Sequence, residues 1–202
     1  FADHVLGIEL IMADGSQKTC SATENADIFR ATVGGMGLTG IISEVTLKLI
    51  PIQTSKMMVT HHAANNLRQL FQLLQDPALD DRYSVAWIDC LASGNELGRG
   101  IAMFGHHATT AEYRAANPLS SKPRRMRSLP FDFPSWVLNP FSISAFNKLY
   151  YYRESRKKTP FLSDYDSYFY PLDAIGNWNR MYGKRGFLQY QCVIPEATAL
   201  EG

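Results

Sequence analysis

The stretch Ala31-Thr-Val-Gly-Gly-Met-Gly-Leu-Thr-Gly-Ile-Ile42 constrains this chain most: Gly34, Gly35, Gly37 and Gly40 fall between a helical pattern and a strand pattern. Upstream, Thr23 or Asn25 can cap a short helix through Ala26, Ile28, Phe29 and Val33. Asp27 lies in its first turn, where the helix dipole favours negative charge. Downstream, Ile41 to Ile50 alternates, with Val45, Leu47 and Leu49 on one face and Glu44, Thr46 and Lys48 on the other. Gly35-Met-Gly37-Leu-Thr-Gly40 spells GxGxxG, but a dinucleotide fingerprint must leave a strand and open a helix. Here the order is reversed, so no pyrophosphate can rest on a following helix N-terminus, and that reading fails. Two readings remain: a tight loop using glycines at positive φ, and a flat stretch of main chain lying against a partner.

Before this loop, Val5 to Met12 reads as a strand, Asp14-Gly15 as a two-residue hairpin turn, and Ser16 to Ser21 as the return strand. After it, Pro51, Gln53, Thr54 and Ser55 break the pattern and predict a boundary between domains 1–54 and 55–202. Lys56 to Thr60 reads as a strand. Leu67, Leu70, Phe71 and Leu74 then have the spacing of an amphipathic helix, which Asp76-Pro77 stops. Tyr83 to Leu91 and Gly100 to Gly105 read as strands around a Ser93-Gly94-Asn95 turn, so this half is a sheet with helices against it.

Residues 117–160 differ. They hold nine cations (Lys122, Arg124, Arg125, Arg127, Lys148, Arg153, Arg156, Lys157, Lys158) against Asp132 and Glu154, nine minus two, a local excess of +7. Aromatic residues are interleaved with Pro118, Pro123, Pro130, Pro134 and Pro140, which predicts a mobile loop in the first half of the segment. The favoured reading of 122–158 is a solvated, self-repelling loop, because no period separates its basic and aromatic residues. The other is peripheral contact with an anionic membrane or a lipid phosphate. Further on, Phe187 to Pro195 alternates, with Gln189 and Gln191 on one side. Two same-side amides suit a hydroxyl-rich ligand, and they equally suit a solvent face.

The 202 residues suffice for one large domain or parts of two, and the net charge of +1 argues against a nucleic-acid partner. No apolar run spans a bilayer and no secretory signal is visible. Cys20, Cys90 and Cys192 are odd in number and far apart, which suits a reducing, cytoplasmic setting. His61-His62 and His106-His107 are adjacent on strands and point to opposite faces, so neither pair chelates a metal, and no metal site is expected.

The run from Asp27 to Pro51 resembles the end of the FAD-binding domain of the vanillyl-alcohol-oxidase superfamily, the PCMH-type flavoproteins. The resemblance implies FAD as cofactor, with Gly35, Gly37 and Gly40 giving close approach and Ile42 touching the flavin nucleotide. Ser84-Val-Ala-Trp-Ile-Asp89, the run Pro171 to Arg180 and the run Gly186 to Pro195 are similar to the oxidase-component family of decaprenylphosphoryl-β-D-ribose 2′-epimerase. That resemblance extends from Phe1 to Pro195 and is weakest over 105–160. It implies oxidation of the 2′-hydroxyl of a polyprenyl-phosphoryl ribose by hydride transfer to FAD, with a partner reductase acting on the keto product. It further implies that Trp87, Asn179, Arg180, Phe187, Gln189 and Gln191 line the substrate side, together with Phe169, which stands where the family has a tyrosine.

By the same resemblance the FAD pyrophosphate loop precedes Phe1, and a pocket cysteine, lysine and tyrosine follow Gly202. No catalytic residue is therefore assigned within this chain. Beginning with Phe1, it reads as a piece of a larger protein, inactive alone. The implied fold is α+β: the C-terminal part of a PCMH-type FAD-binding domain (1–54), then an incomplete antiparallel-sheet substrate domain (55–202). Alternatives are a sugar-lactone or aldose oxidase of the same superfamily and a non-catalytic binding module.

Overall fold

A computed structural model describes residues 1–202 apart from 80, 122–125, 135, 196–197 and 200–202, and apart from the side chain of 185. Lys122, Arg124 and Arg125 of the basic segment therefore lie outside the described residues. The chain divides into two compact units, Phe1–Pro51 and Ile52–Gly202.

In the first unit, β1 (Val5–Ile11), β2 (Gln17–Ser21) and β3 (Ile41–Leu47) form an antiparallel sheet of order β2-β1-β3, and α1 (Ala26–Thr32) packs on it. The alternation of β1 sends Ile8 and Leu10 inward to meet Cys20 of β2 and Phe29 of α1, which together with Val5 make the buried core. The hairpin turn is one residue longer than the expected Asp14-Gly15 pair. Met12 N–H donates to Ser16 O at 2.8 Å, and Gly15, at φ +82°, takes the left-handed third position of the loop. Asn25 occupies the helix N-cap position without capping; its Nδ2 instead donates to Thr19 O at 2.8 Å.

The second unit is built on β4 (Lys56–Ala64), β5 (Tyr83–Ile88), β6 (Gly100–His107) and β8 (Phe161–Asp164), antiparallel throughout in the order β5-β6-β4-β8. The expected α+β class is the observed one. α2 (Leu67–Gln75) is capped by Asn66, whose side chain accepts from Gln69 N–H. Its Leu70 is buried with Ala64, Ala102 and Phe104 on one face of the sheet. The other face receives α3 (Pro140–Glu154) and α4 (Tyr165–Phe169). Two-residue β7 (Arg127–Ser128) and β9 (Ile175–Gly176) pair in parallel.

α3 starts at a strong signal: Asn139 Oδ1 accepts from Phe141 and Ser142 N–H at 2.9 and 3.0 Å, Ser142 Oγ accepts from Asn139 N–H, and Pro140 takes the first turn.

The expected strand Phe187 to Pro195 is a correction. This stretch has no regular structure, and its side chains are exposed. Alternation alone does not make a strand, since its ladder groups need a neighbour, and no described strand pairs with it.

Candidate functional site

The second unit encloses a cavity of about 680 Å³ on the sheet face opposite α2. Cross-strand register builds its floor. Val85, Met103 and His61 are neighbours in one row across β5, β6 and β4, and Tyr83, Gly105, Val59 and Phe161 follow in the next. Trp87 extends the wall along β5, with its ring 4.7 Å from that of Tyr150 on α3. At the other end Phe169 sits edge-on to Tyr83 at 5.0 Å. Gly105 is small because Tyr168 lies over it: a Cβ there would stand 3.0 Å from the Tyr168 ring.

One charged cluster enters this largely apolar space. Glu154 ends α3 with its side chain 3% exposed, and it accepts hydrogen bonds from Arg153 Nε at 2.8 Å and Lys157 Nζ at 2.7 Å. Burial works against its charge, but those two cations outweigh it and hold the carboxyl below the usual glutamate range. His61 Nδ1 stands 3.1 Å from Glu154 Oε2, near enough for attraction but misaligned for a hydrogen bond, so this buried nitrogen is unpartnered among the described residues. Burial lowers the His61 pKa despite the opposing carboxylate, so at neutral pH a neutral imidazole faces an ionised Glu154. Tyr168 Oη donates to Tyr83 O at 3.0 Å, and burial pushes its pKa up to about 12, which keeps the phenol protonated.

Among the residues expected on the substrate side, the structure brings Trp87 and Phe169 together in this cavity. Asn179, Arg180, Phe187, Gln189 and Gln191 are not among its lining residues. Arg180 Nη1 donates to Leu129 O and Pro130 O, both at 2.9 Å, so part of that guanidinium holds neighbouring chain in place. Phe187 packs its ring 5.0 Å from Trp178 and 4.5 Å from Tyr182. Asn179, Gln189 and Gln191 are exposed. Sequence reasoning missed His61, Tyr150 and Glu154; the available signal was Glu154, one of two acids in a strongly basic segment.

In the first unit the glycines of the loop divide by cause. A Cβ on Gly35 would lie 2.0 Å from Ala31 O, and one on Gly40 would lie 2.5 Å from Ile11 O, so the chain's own main chain demands both. Gly37, at φ +76°, would meet nothing within 4 Å. Ile42 pairs with Leu10 and so shares its side of the sheet, yet remains 48% exposed.

No protein-family model matches the chain. Across its whole length it is 32% identical to decaprenylphosphoryl-beta-D-ribose oxidase of Mycolicibacterium smegmatis, over 206 aligned residues. The chain is a homologue of this oxidase. The resemblance read from its motifs is thereby borne out, and the chain spans 45% of the oxidase's own length. D-arabinono-1,4-lactone oxidase of Debaryomyces hansenii is 40% identical over 55 residues, 27% of this chain and 10% of that relative. Among solved structures, a carbohydrate oxidase from Microdochium nivale shares 21% identity at a TM-score of 0.38, covering 59% of this chain and 27% of its own.

Outside the cavity, His106 Nδ1 lies 2.9 Å from Asp81 Oδ2, and its Nε2 lies 3.3 Å from Glu112 Oε1. The hydrogen bond to Asp81 raises its pKa against burial, and Glu112 adds to the rise. A raised folded-state pKa gives stability that is complete below the unfolded value of about 6.5 and is lost as pH climbs through the folded value. His61 and His107 are shifted the opposite way, so the difference between wild type and His106→Gln isolates this contribution. That difference in melting temperature is expected to be largest at about pH 6 and to shrink towards pH 8. A difference independent of pH contradicts the assignment.

Proposed function

We propose that the protein containing this chain is an FAD-dependent oxidoreductase that oxidises a secondary alcohol of a sugar. The substrate of choice is a polyprenyl-phosphoryl ribose, oxidised at its 2′-hydroxyl. The observation carrying this reading is the identity of 32% along the entire chain with an oxidase named for decaprenylphosphoryl-beta-D-ribose. FAD, when bound, supplies the hydride acceptor. Within this chain the bare main chain at Gly37 and the half-open side chain of Ile42 fit a flat nucleotide, and they would hold it together with the Gly35 to Gly40 turn.

The cavity of the second unit is the proposed substrate site. Trp87, Tyr150 and Phe161 offer ring surface to the C–H face of a sugar or to a prenyl unit, while Arg153 and Lys157 carry two charges against one on Glu154 and so suit an anionic group. Phe169 offers no hydroxyl, so this wall recognises shape rather than a hydrogen bond. Asn179, Gln189 and Gln191, with exposed amides, belong to the same proposal as partners for sugar hydroxyls; Phe187 and Arg180 position the segment that carries them. The oxidised sugar would be a ketone, so the proposal includes a separate reductase to consume it.

A second reading, a sugar-lactone oxidase, draws on the local match to D-arabinono-1,4-lactone oxidase. The full-length protein should be yellow, and under anaerobic conditions a polyprenyl-phosphoryl ribose should bleach its flavin while aldonolactones do not. Bleaching by the lactone alone moves the assignment to the second reading. A colourless full-length protein that takes up no FAD leaves only a binding module.

A further inference from the structure

The floor of the cavity is apolar along Val85 of β5 and Met103 of β6, and turns polar at the next position of that row, His61 of β4. The His61 side chain is only 6% exposed, yet neither ring nitrogen makes a hydrogen bond among the described residues. Nδ1 is sealed in beside Glu154; Nε2 is not sealed, and the open side of this residue is the cavity. Taking an imidazole out of water without a hydrogen bond costs free energy that the fold does not recover. A leucine would fill this floor at no such cost. The other histidines differ. His4 and His106 are hydrogen-bonded, and His62 faces the other side of the sheet, edge-on to Phe104. The enclosed, unpartnered nitrogen of His107 belongs to a side chain that does not line the cavity.

Two contacts hold the His61 ring in one pose. Phe161 meets it edge-on with the centroids 5.0 Å apart, and Glu154 Oε2 lies 3.1 Å from Nδ1. A carboxylate so near repels a lone pair and favours a proton, so the neutral imidazole carries its hydrogen on Nδ1 and its lone pair on Nε2. The result is an uncharged acceptor of fixed direction on an otherwise apolar floor. Neighbouring groups do not compete for that part, because Glu154 is taken by Arg153 and Lys157, and Tyr168 gives its O–H to Tyr83 O.

From this geometry we infer that His61 is a specificity-determining residue of the cavity: its Nε2 accepts a hydrogen bond from a hydroxyl of the bound sugar other than the one oxidised. Burial disfavours the imidazolium, so the ring suits a hydroxyl that keeps its proton rather than one that loses it. The inference rests on the sugar-oxidase reading of this cavity and adds the group that tells one hydroxylated ring from another. A ring lacking that hydroxyl leaves Nε2 unpaired inside the complex, and this is how a polar site rejects an analogue.

The test measures kcat/KM of the full-length protein by flavin reduction at pH 8, where the imidazole is neutral. The substrates are a short-chain prenyl-phosphoryl ribose and its 3-deoxy and 5-deoxy analogues. His61→Leu is expected to lower kcat/KM for the parent sugar about tenfold. His61→Gln, whose amide oxygen reaches the place of Nε2, should stay within about threefold of wild type. One deoxy analogue should lose about tenfold on wild type and nothing further on His61→Leu. The melting temperature of His61→Leu should equal or exceed that of wild type, because the fold makes no use of the ring's polarity. His61→Met repeats each comparison with a more pliable side chain. Undiminished kcat/KM in both apolar variants, or deoxy penalties that they leave unaltered, overturns the inference while the oxidase reading stands. Lower melting temperatures in both assign the ring to the fold and overturn it as well. A wild-type flavin that the ribose substrate does not reduce removes the oxidase reading, and the inference with it.

Discussion

Asp89→Ala is expected to destabilise the second unit by about 3–5 kcal/mol, the range found when one partner of a buried ion pair is removed. Asp89 is 2% exposed at the end of β5, and all its bonding capacity is used. Oδ2 accepts from Arg99 Nε at 3.1 Å and Nη2 at 2.8 Å, while Oδ1 accepts from Asn147 Nδ2 at 2.7 Å and Leu91 N–H at 3.1 Å. These partners come from the β5–β6 connection and from α3, so a single carboxylate ties the helix to the sheet beside the cavity. Without it, Arg99 stays buried with the exposed Glu96 as its one ionic partner among the described residues, and the Asn147 amide loses its acceptor. Chemical denaturation of wild type and variant checks the size of the loss; a change under about 1 kcal/mol contradicts the account.

The same site fixes a pH dependence. Burial opposes ionisation of Asp89, but the hydrogen bonds from Asn147, Arg99 and Leu91 outweigh it and depress the pKa. A carboxyl depressed in the folded state contributes stability above the unfolded value of about 3.9 and loses it as pH falls through the folded value. The stability gap between wild type and Asp89→Ala should therefore narrow in acid, and Asp89→Asn, which keeps the shape and one acceptor, should fall between the two.

What could be read in the sequence follows from which forces act locally. The helix at Leu67 was legible because its apolar spacing, its Asn66 cap and the Asp76-Pro77 stop all agree. The order of helix, glycine loop and strand was legible for the same reason, and the reversed order was enough to reject the dinucleotide fingerprint. α3 was not legible by period, because apolar, aromatic and polar side chains are spread all round it, so only the Asn139-Pro140 start betrayed it. Phe187 to Pro195 failed in the opposite direction: the period-two pattern is real, but no described strand pairs with it. Trp87 and Phe169 lie far apart in sequence and were joined only by family resemblance; the fold brings them to one cavity through β5 and α4. His61 and Glu154 carried no motif, and their meeting depends on where the end of α3 lands on β4.

If the proposed function holds, Trp87→Ala in the full-length protein is expected to raise KM for the proposed sugar substrate about 10–100-fold while kcat changes only a few-fold. The ring is half-buried: one part packs on Tyr150, and the remainder is open to the cavity. Under the proposed function that open surface meets a part of the substrate that does not change in the reaction, so its loss weakens ground state and transition state alike. A wall of this kind contributes roughly 1.4–2.7 kcal/mol, which corresponds to the stated range at about 1.36 kcal/mol per factor of ten. Trp87→Phe should retain most of the affinity, because stacking area rather than the indole N–H carries the contact. Equal losses in kcat and kcat/KM would place the ring against the reacting atoms instead. Unchanged kinetics in a folded Trp87→Ala protein would remove this cavity as the substrate site while leaving the flavin assignment untouched.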